Sequence, residues 1–129
     1  MRKKQITFAL LVIAVFAALA YIAYPYLAPG PTNLGPFASC LKDKGVIFYG
    51  AFWCPHCRAQ KALFGNAVEL LPYNECSNPD ASEMQSCKDA GVGSYPTWVF
   101  PDGTRLTGEQ SLQTLAQKSG CTLPTSTIQ

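Results

Sequence analysis

Two cysteines separated by two residues, Cys54 and Cys57 in the stretch Trp53-Cys54-Pro55-His56-Cys57, are the residues whose types and spacing most directly imply chemistry. That gap puts both thiols on one helical turn, where they can cycle between dithiol and disulfide. The stretch follows an apolar run, Val46-Ile47-Phe48-Tyr49, that reads as a buried strand, and it precedes a helical pattern. Cys54 is therefore predicted where strand gives way to helix. Unpaired backbone N–H groups and the positive end of the helix dipole favour a thiolate there. Pro55 suits the first helical turn, in which its missing N–H costs nothing. A cationic His56 would stabilise the thiolate further, which favours the dithiol and makes the disulfide a stronger oxidant.

Other uses of the pair compete with this one. A zinc site would need two more ligands close together, but Cys76 and Cys87 have ten residues between them. Covalent haem needs a histidine directly after the second cysteine, and position 58 is Arg. A purely structural disulfide remains, although bridging so short a loop adds little stability by the loop-entropy argument. No metal and no bound cofactor are expected. The six cysteines (Cys40, Cys54, Cys57, Cys76, Cys87, Cys121) are an even number in a chain of 129 residues, a pattern of disulfide-permitting compartments if the chain is exported.

The N-terminus reads as an export signal. From Ile6 to Tyr24 no residue is charged, and the uncharged stretch continues past Ala28, long enough to span a bilayer as a helix. Arg2, Lys3 and Lys4 lie on its N-terminal side, so the positive-inside rule places residue 1 in the cytoplasm and the chain after residue 30 on the extracytoplasmic side, periplasmic or lumenal. The run exceeds a usual signal-peptide core, which favours an anchor over cleavage near Ala18-Leu19-Ala20. Without those three basic residues the chain has seven Lys or Arg against eight Asp or Glu. That balance, with no basic cluster interleaved with aromatics, argues against nucleic-acid binding.

The expected organisation is a basic end at 1–5, a transmembrane anchor at 6–27, a linker at 28–36, one α/β domain at 37–123 and a tail at 124–129. The prolines and glycines from Pro25 to Pro36 suit a semi-rigid spacer. The domain should begin with a helix over Phe37 to Lys44, followed by the strand Val46 to Tyr49. A helix from Cys54 to about Val68 comes next, with Ala59, Leu63 and Ala67 on one apolar stripe, Phe64, Val68 and Leu71 beside it, and a bend at Gly65. Leu70 to Glu75 reads as a second strand, residues 77–91 as a turn and short helix, and Tyr95 to Phe100 as a third strand. Pro101-Asp102-Gly103 should turn the chain into an antiparallel edge strand at Thr104 to Thr107, before a last helix at Glu109 to Ser119.

This order, with a dithiol at the first strand-to-helix junction, resembles a thioredoxin fold from about Gly35 to Cys121. The segments Tyr49-Gly50-Ala51-Phe52-Trp53-Cys54-Pro55-His56-Cys57, Leu63-Phe64-Gly65, Leu71-Pro72-Tyr73 with Glu75-Cys76, Ser94-Tyr95-Pro96-Thr97-Trp98, and Ser111-Leu112 leading to Ser119-Gly120 sharpen the match. Together they resemble the thioredoxin-like domain that accompanies bacterial vitamin K epoxide reductase homologues. One N-terminal membrane segment stands where the reductase-type helical bundle would be.

The resemblance implies roles. Cys54 would be the exposed nucleophile and Cys57 the buried thiol that resolves a mixed disulfide. Pro96 would be a cis-proline beside the dithiol, Tyr95 would help set substrate choice, and Phe52 and Trp53 would form an apolar rim. Trp53 fits core packing equally well. Cys76 and Cys87 resemble a second pair of that family, read as a structural bridge or, less simply, a thiol relay. Cys40 and Cys121 then remain as a pair, one of fifteen formal pairings of six cysteines. One departure concerns proton handling: thioredoxins often carry a buried carboxylate six residues before the first cysteine, and here that residue is Phe48. Efficient general-base assistance would then have to come from Glu75 or water, although Glu75 fits a solvated or locally paired residue better. The implied activity is thiol:disulfide exchange that introduces disulfides into exported proteins, with reoxidation by a vitamin K epoxide reductase-like, quinone-linked membrane partner. The alternatives are a reductase or isomerase of exported proteins, or a non-catalytic chaperone or adaptor.

Overall fold

The computed structural model describes residues 2–27 and 34–124. Residues 28–33 of the expected linker and 125–129 of the tail lie outside them. An N-terminal helix, α1, spans Arg2–Leu27 and includes Pro25. Its segment Lys4–Ala23 is long and apolar enough to cross a membrane, and none of it is buried among the described residues. Length and composition of this kind fit a membrane span and a signal sequence alike.

The remainder folds as α2 (Gly35–Asp43), β1 (Ile47–Gly50), α3 (Pro55–Ala62), a 3₁₀ segment (Gly65–Leu70), β2 (Tyr73–Glu75), α4 (Gln85–Asp89), β3 (Thr97–Val99), β4 (Arg105–Thr107) and α5 (Leu112–Ser119). The strands form one mixed sheet in the order β2-β1-β3-β4, with β1 parallel to β2 and antiparallel to β3, and β4 as an antiparallel edge. Helices cover both faces. This is an α/β thioredoxin-like fold preceded by an apolar helix.

Alternation along β1 divides the core. Phe48 points to one face, where it stacks on Trp98 at 4.5 Å between ring centroids, and that face holds Phe37, Leu41, Phe64, Cys57 and Leu115. Tyr49 points to the other, toward Cys76, Cys87 and Val92. A strand so covered loses its polar alternation, as this one does.

Several elements differ from the pattern read off the sequence, for local reasons. The first domain helix starts at Gly35, with a proline in its first turn, so Gly35 and Pro36 belong to the domain and not to the spacer. The helix after Cys54 stops at Ala62 because Gly65 takes a left-handed φ of 52°, after which the backbone tightens into the 3₁₀ segment. Shortening it changes which side faces inward: Cys57, Gln60 and Phe64 are buried, while Ala59 and Leu63 are exposed. The second strand shortens to Tyr73–Glu75 because the 3₁₀ segment consumes Leu70. The last helix begins at Leu112, where the Ser111 hydroxyl accepts the Thr114 N–H at 3.0 Å.

Two disulfides close the domain. Cys40 on α2 joins Cys121 after α5 across 81 residues, and Cys76 joins Cys87 across 11. The first ties the beginning of the domain to its end. Replacing both Cys40 and Cys121 by serine is expected to lower the unfolding free energy by about 4 kcal/mol, measured by denaturant titration; a loss under about 1 kcal/mol would contradict this role.

Candidate functional site

Cys54 follows β1 by four residues and is the N-cap of α3, with extended backbone (φ −75°, ψ 118°). Its sulfur accepts the Cys57 N–H at 3.3 Å, so a thiol occupies the place that a Ser, Thr or Asp oxygen takes in most helices. Pro55 occupies the first turn. Cys54 and Cys57 are the two cysteines without a disulfide partner.

From the opposite side the chain before β3 meets the dithiol. The Tyr95–Pro96 peptide is cis, and the Tyr95 carbonyl lies 3.8 Å from Cys54 Sγ. The Tyr95 hydroxyl donates to Glu83 at 3.1 Å, and burial, followed by that bond, pushes the phenol up to about 12. Trp53 meets the Tyr95 ring edge-on at 6.2 Å, while its indole N–H donates to Ser77 at 2.9 Å. Phe52 and Trp53 are about half exposed, at 51% and 47%, so Trp53 is a surface residue and not part of the core. The three rings border the dithiol with apolar surface.

The environments of the two thiols differ, though not as an exposed and a buried one. Cys54 is 4% exposed and Cys57 1%, because Cys54 is covered by the Tyr95-Pro96 segment as well as by its own helix. The expectation of an exposed nucleophile is thus corrected: Cys54 lies at the rim of the helix end but under cover. Burial pushes the Cys57 thiol up to about 12, and its hydrogen bond with Cys54 adds to this, while the Ala51 N–H and the Lys61 charge oppose it. Cys57 is a protonated thiol at neutral pH.

The chain is similar to a thiol-disulfide oxidoreductase. Over 92 residues it is 40% identical to the thiol-disulfide oxidoreductase LTO1 of Arabidopsis thaliana, a match covering 67% of this chain. It spans about a quarter of that relative's length, 24%. No family model matches the chain. A paired dithiol on a thioredoxin-like scaffold is in keeping with that similarity.

Some contacts at the site were not legible in the motif. The His56 imidazole Nδ1 lies 2.6 Å from a carboxylate oxygen of Glu109, on the surface beside α5. The imidazole thus has a carboxylate partner across from α3. Gln60, wholly buried, accepts the Gln110 N–H at 2.6 Å and donates to the Gln110 carbonyl at 3.0 Å, with Trp98 donating to it at 3.4 Å. It fastens α3 to the loop that carries Glu109. Glu75 accepts the Phe52 and Ser77 N–H groups at 3.1 and 3.0 Å and so shapes the loop leading into Cys54. Among the described residues no cluster of ligands suited to a metal is found.

The thiolate is the form that reacts with alkylating agents, and its fraction rises tenfold per pH unit below the group's pKa. In a Cys54→Ala variant, iodoacetamide should therefore label Cys57 very slowly at pH 8 and faster with each unit toward pH 12. A rate that levels off near the ordinary thiol value of about 9 would contradict burial as the governing effect.

Proposed function

We propose that this chain is a membrane-anchored thiol:disulfide oxidoreductase that passes its Cys54-Cys57 disulfide to exported cysteine-containing proteins. The single observation that supports it most is a dithiol whose first sulfur caps a helix while the Tyr95 carbonyl of a cis X-Pro peptide faces it at 3.8 Å. The resemblance of its motifs to the domain accompanying vitamin K epoxide reductase homologues supports a quinone-linked membrane partner of that type as the reoxidant. The apolar helix α1 suits a tether with the N-terminus cytoplasmic and the domain on the extracytoplasmic side.

In this reading a substrate thiolate attacks Cys54 Sγ, the Cys54–Cys57 bond breaks, and Cys57 leaves with the electron pair and takes a proton. A second substrate thiolate then attacks the substrate sulfur of the mixed disulfide. The substrate departs with a new disulfide, Cys54 leaves as a thiolate held by the helix N-terminus, and two electrons remain on the dithiol. The membrane partner removes them. The Tyr95 carbonyl and the Phe52, Trp53 and Tyr95 rings would receive an extended substrate segment around its cysteine.

Direction is set by how far the reduced form is stabilised. Equilibrating the full chain with glutathione buffers should give a potential for the Cys54-Cys57 pair well above the value of about −270 mV typical of a reducing thioredoxin. A value at or below it would reject the oxidase direction in favour of a tethered reductant.

A further inference from the structure

The exchange reaction proposed above moves a proton on and off Cys57, and the residue six positions before Cys54 offers nothing to carry it. Phe48 there is fully buried and stacked on Trp98. Its neighbour across the parallel ladder is Tyr73, and Gly50 is matched in the same way with Glu75. Residues paired in this register project to the same face of the sheet. The face under Cys57 therefore carries a phenol and a carboxylate on β2 in place of an acid on β1.

The contacts are specific. The Tyr73 hydroxyl donates to Glu75 Oε2 at 2.8 Å. That leaves the lone pairs of the phenol oxygen free to accept. A Cβ placed on Gly50 would meet Cys57 Sγ at 3.0 Å and the Tyr73 hydroxyl oxygen at 3.3 Å, so thiol and phenol border the same small space and only glycine keeps it open. Lys61, one helical turn beyond Cys57, holds its ammonium 3.2 Å from the centroid of the Tyr73 ring. Glu75 is partly exposed, which connects the far end of the group to water.

We propose that Tyr73 and Glu75 form the proton relay of Cys57, with Lys61 compensating the thiolate charge; this rests on the redox reading above. When Cys57 resolves a mixed disulfide, its S–H proton passes through the space beside Gly50 to the Tyr73 oxygen as the phenol proton passes to Glu75. The Cys57 electron pair forms the bond to Cys54 Sγ, and the bond from Cys54 to the substrate sulfur breaks, releasing a substrate thiolate. In the oxidising direction the same relay runs backward and protonates the departing Cys57. Burial raises the Tyr73 phenol, with the Glu75 bond next in effect, so Tyr73 does not ionise by itself in the working range. The other titratable groups bearing on Cys57 and the relay are Cys54, and Tyr95 with Glu83 from the loops before α4 and β3.

The test uses the reduced full chain and 5,5′-dithiobis(2-nitrobenzoate), followed by stopped flow from pH 6 to pH 10. Attack by Cys54 releases one coloured thiolate, and resolution by Cys57 releases a second. Tyr73→Phe keeps the ring beneath Lys61 and removes only the hydroxyl. Glu75→Gln keeps an acceptor for the Phe52 and Ser77 N–H groups and removes the base. Either variant should slow the second phase relative to the first by about a hundredfold at pH 7, with the deficit shrinking as hydroxide takes over at high pH. A structural disturbance would instead slow both phases at every pH. Unchanged ratios and pH profiles would overturn the relay, and Glu75→Gln alone decides if Tyr73→Phe does not fold. A wild-type chain that releases no second thiolate would defeat the redox reading itself, whatever the variants do.

Discussion

The Cys54 sulfur receives the N–H of Cys57, third residue of the helix that it caps, at 3.3 Å, and the arrangement of the domain follows from holding it there. An N-cap acceptor ordinarily completes the helix's hydrogen bonding and nothing more. A thiol in that role is different, because the atom that closes the helix end is also the one that can form a disulfide. Cys57, three residues on, lies within the core cluster and is governed by burial instead. One turn of helix thus carries two sulfurs in different settings, one capping the helix end and one held as a thiol by burial.

Positioning that turn depends on contacts made far from it in sequence. Strand β1 sits between β2 and β3, fixing the start of α3 against both neighbours. From β2, Glu75 holds the Phe52 N–H and so sets the loop before Cys54. From the other side, Gln60 locks α3 to Gln110 and the cis Tyr95–Pro96 segment covers the sulfur. The two disulfides lie outside the site: Cys76–Cys87 belongs to the cluster on the opposite sheet face, and Cys40–Cys121 joins the domain's ends.

Much of this was legible in the sequence because it is local. The apolar run before Cys54, the proline after it and the glycines at turns each act within a few residues. What escaped was non-local. Nothing in its local sequence marks Gln60 for burial, which backbone groups fifty positions away and the Trp98 indole make tolerable. The apolar stripe placed on Ala59 and Leu63 assumed an unbroken helix; with α3 ended at Ala62, both are exposed and Cys57, Gln60 and Phe64 turn inward. Glu109 gave no local sign that it would meet His56. The Tyr73-x-Glu75 spacing did hold a usable signal, since alternate residues of a strand share a face, but pairing it with Phe48 and Gly50 required the register.

Disulfide transfer requires that Cys54 form a mixed disulfide with exported proteins, with Cys57 as its partner in the exchange. Expressing the full chain as Cys57→Ala and trapping thiols with acid measures this most directly. Adducts are expected that dissolve on reduction, contain cysteine-bearing extracytoplasmic proteins, and vanish when Cys54 is also replaced. Adducts that persist without Cys54, or none with Cys54 present, would contradict it.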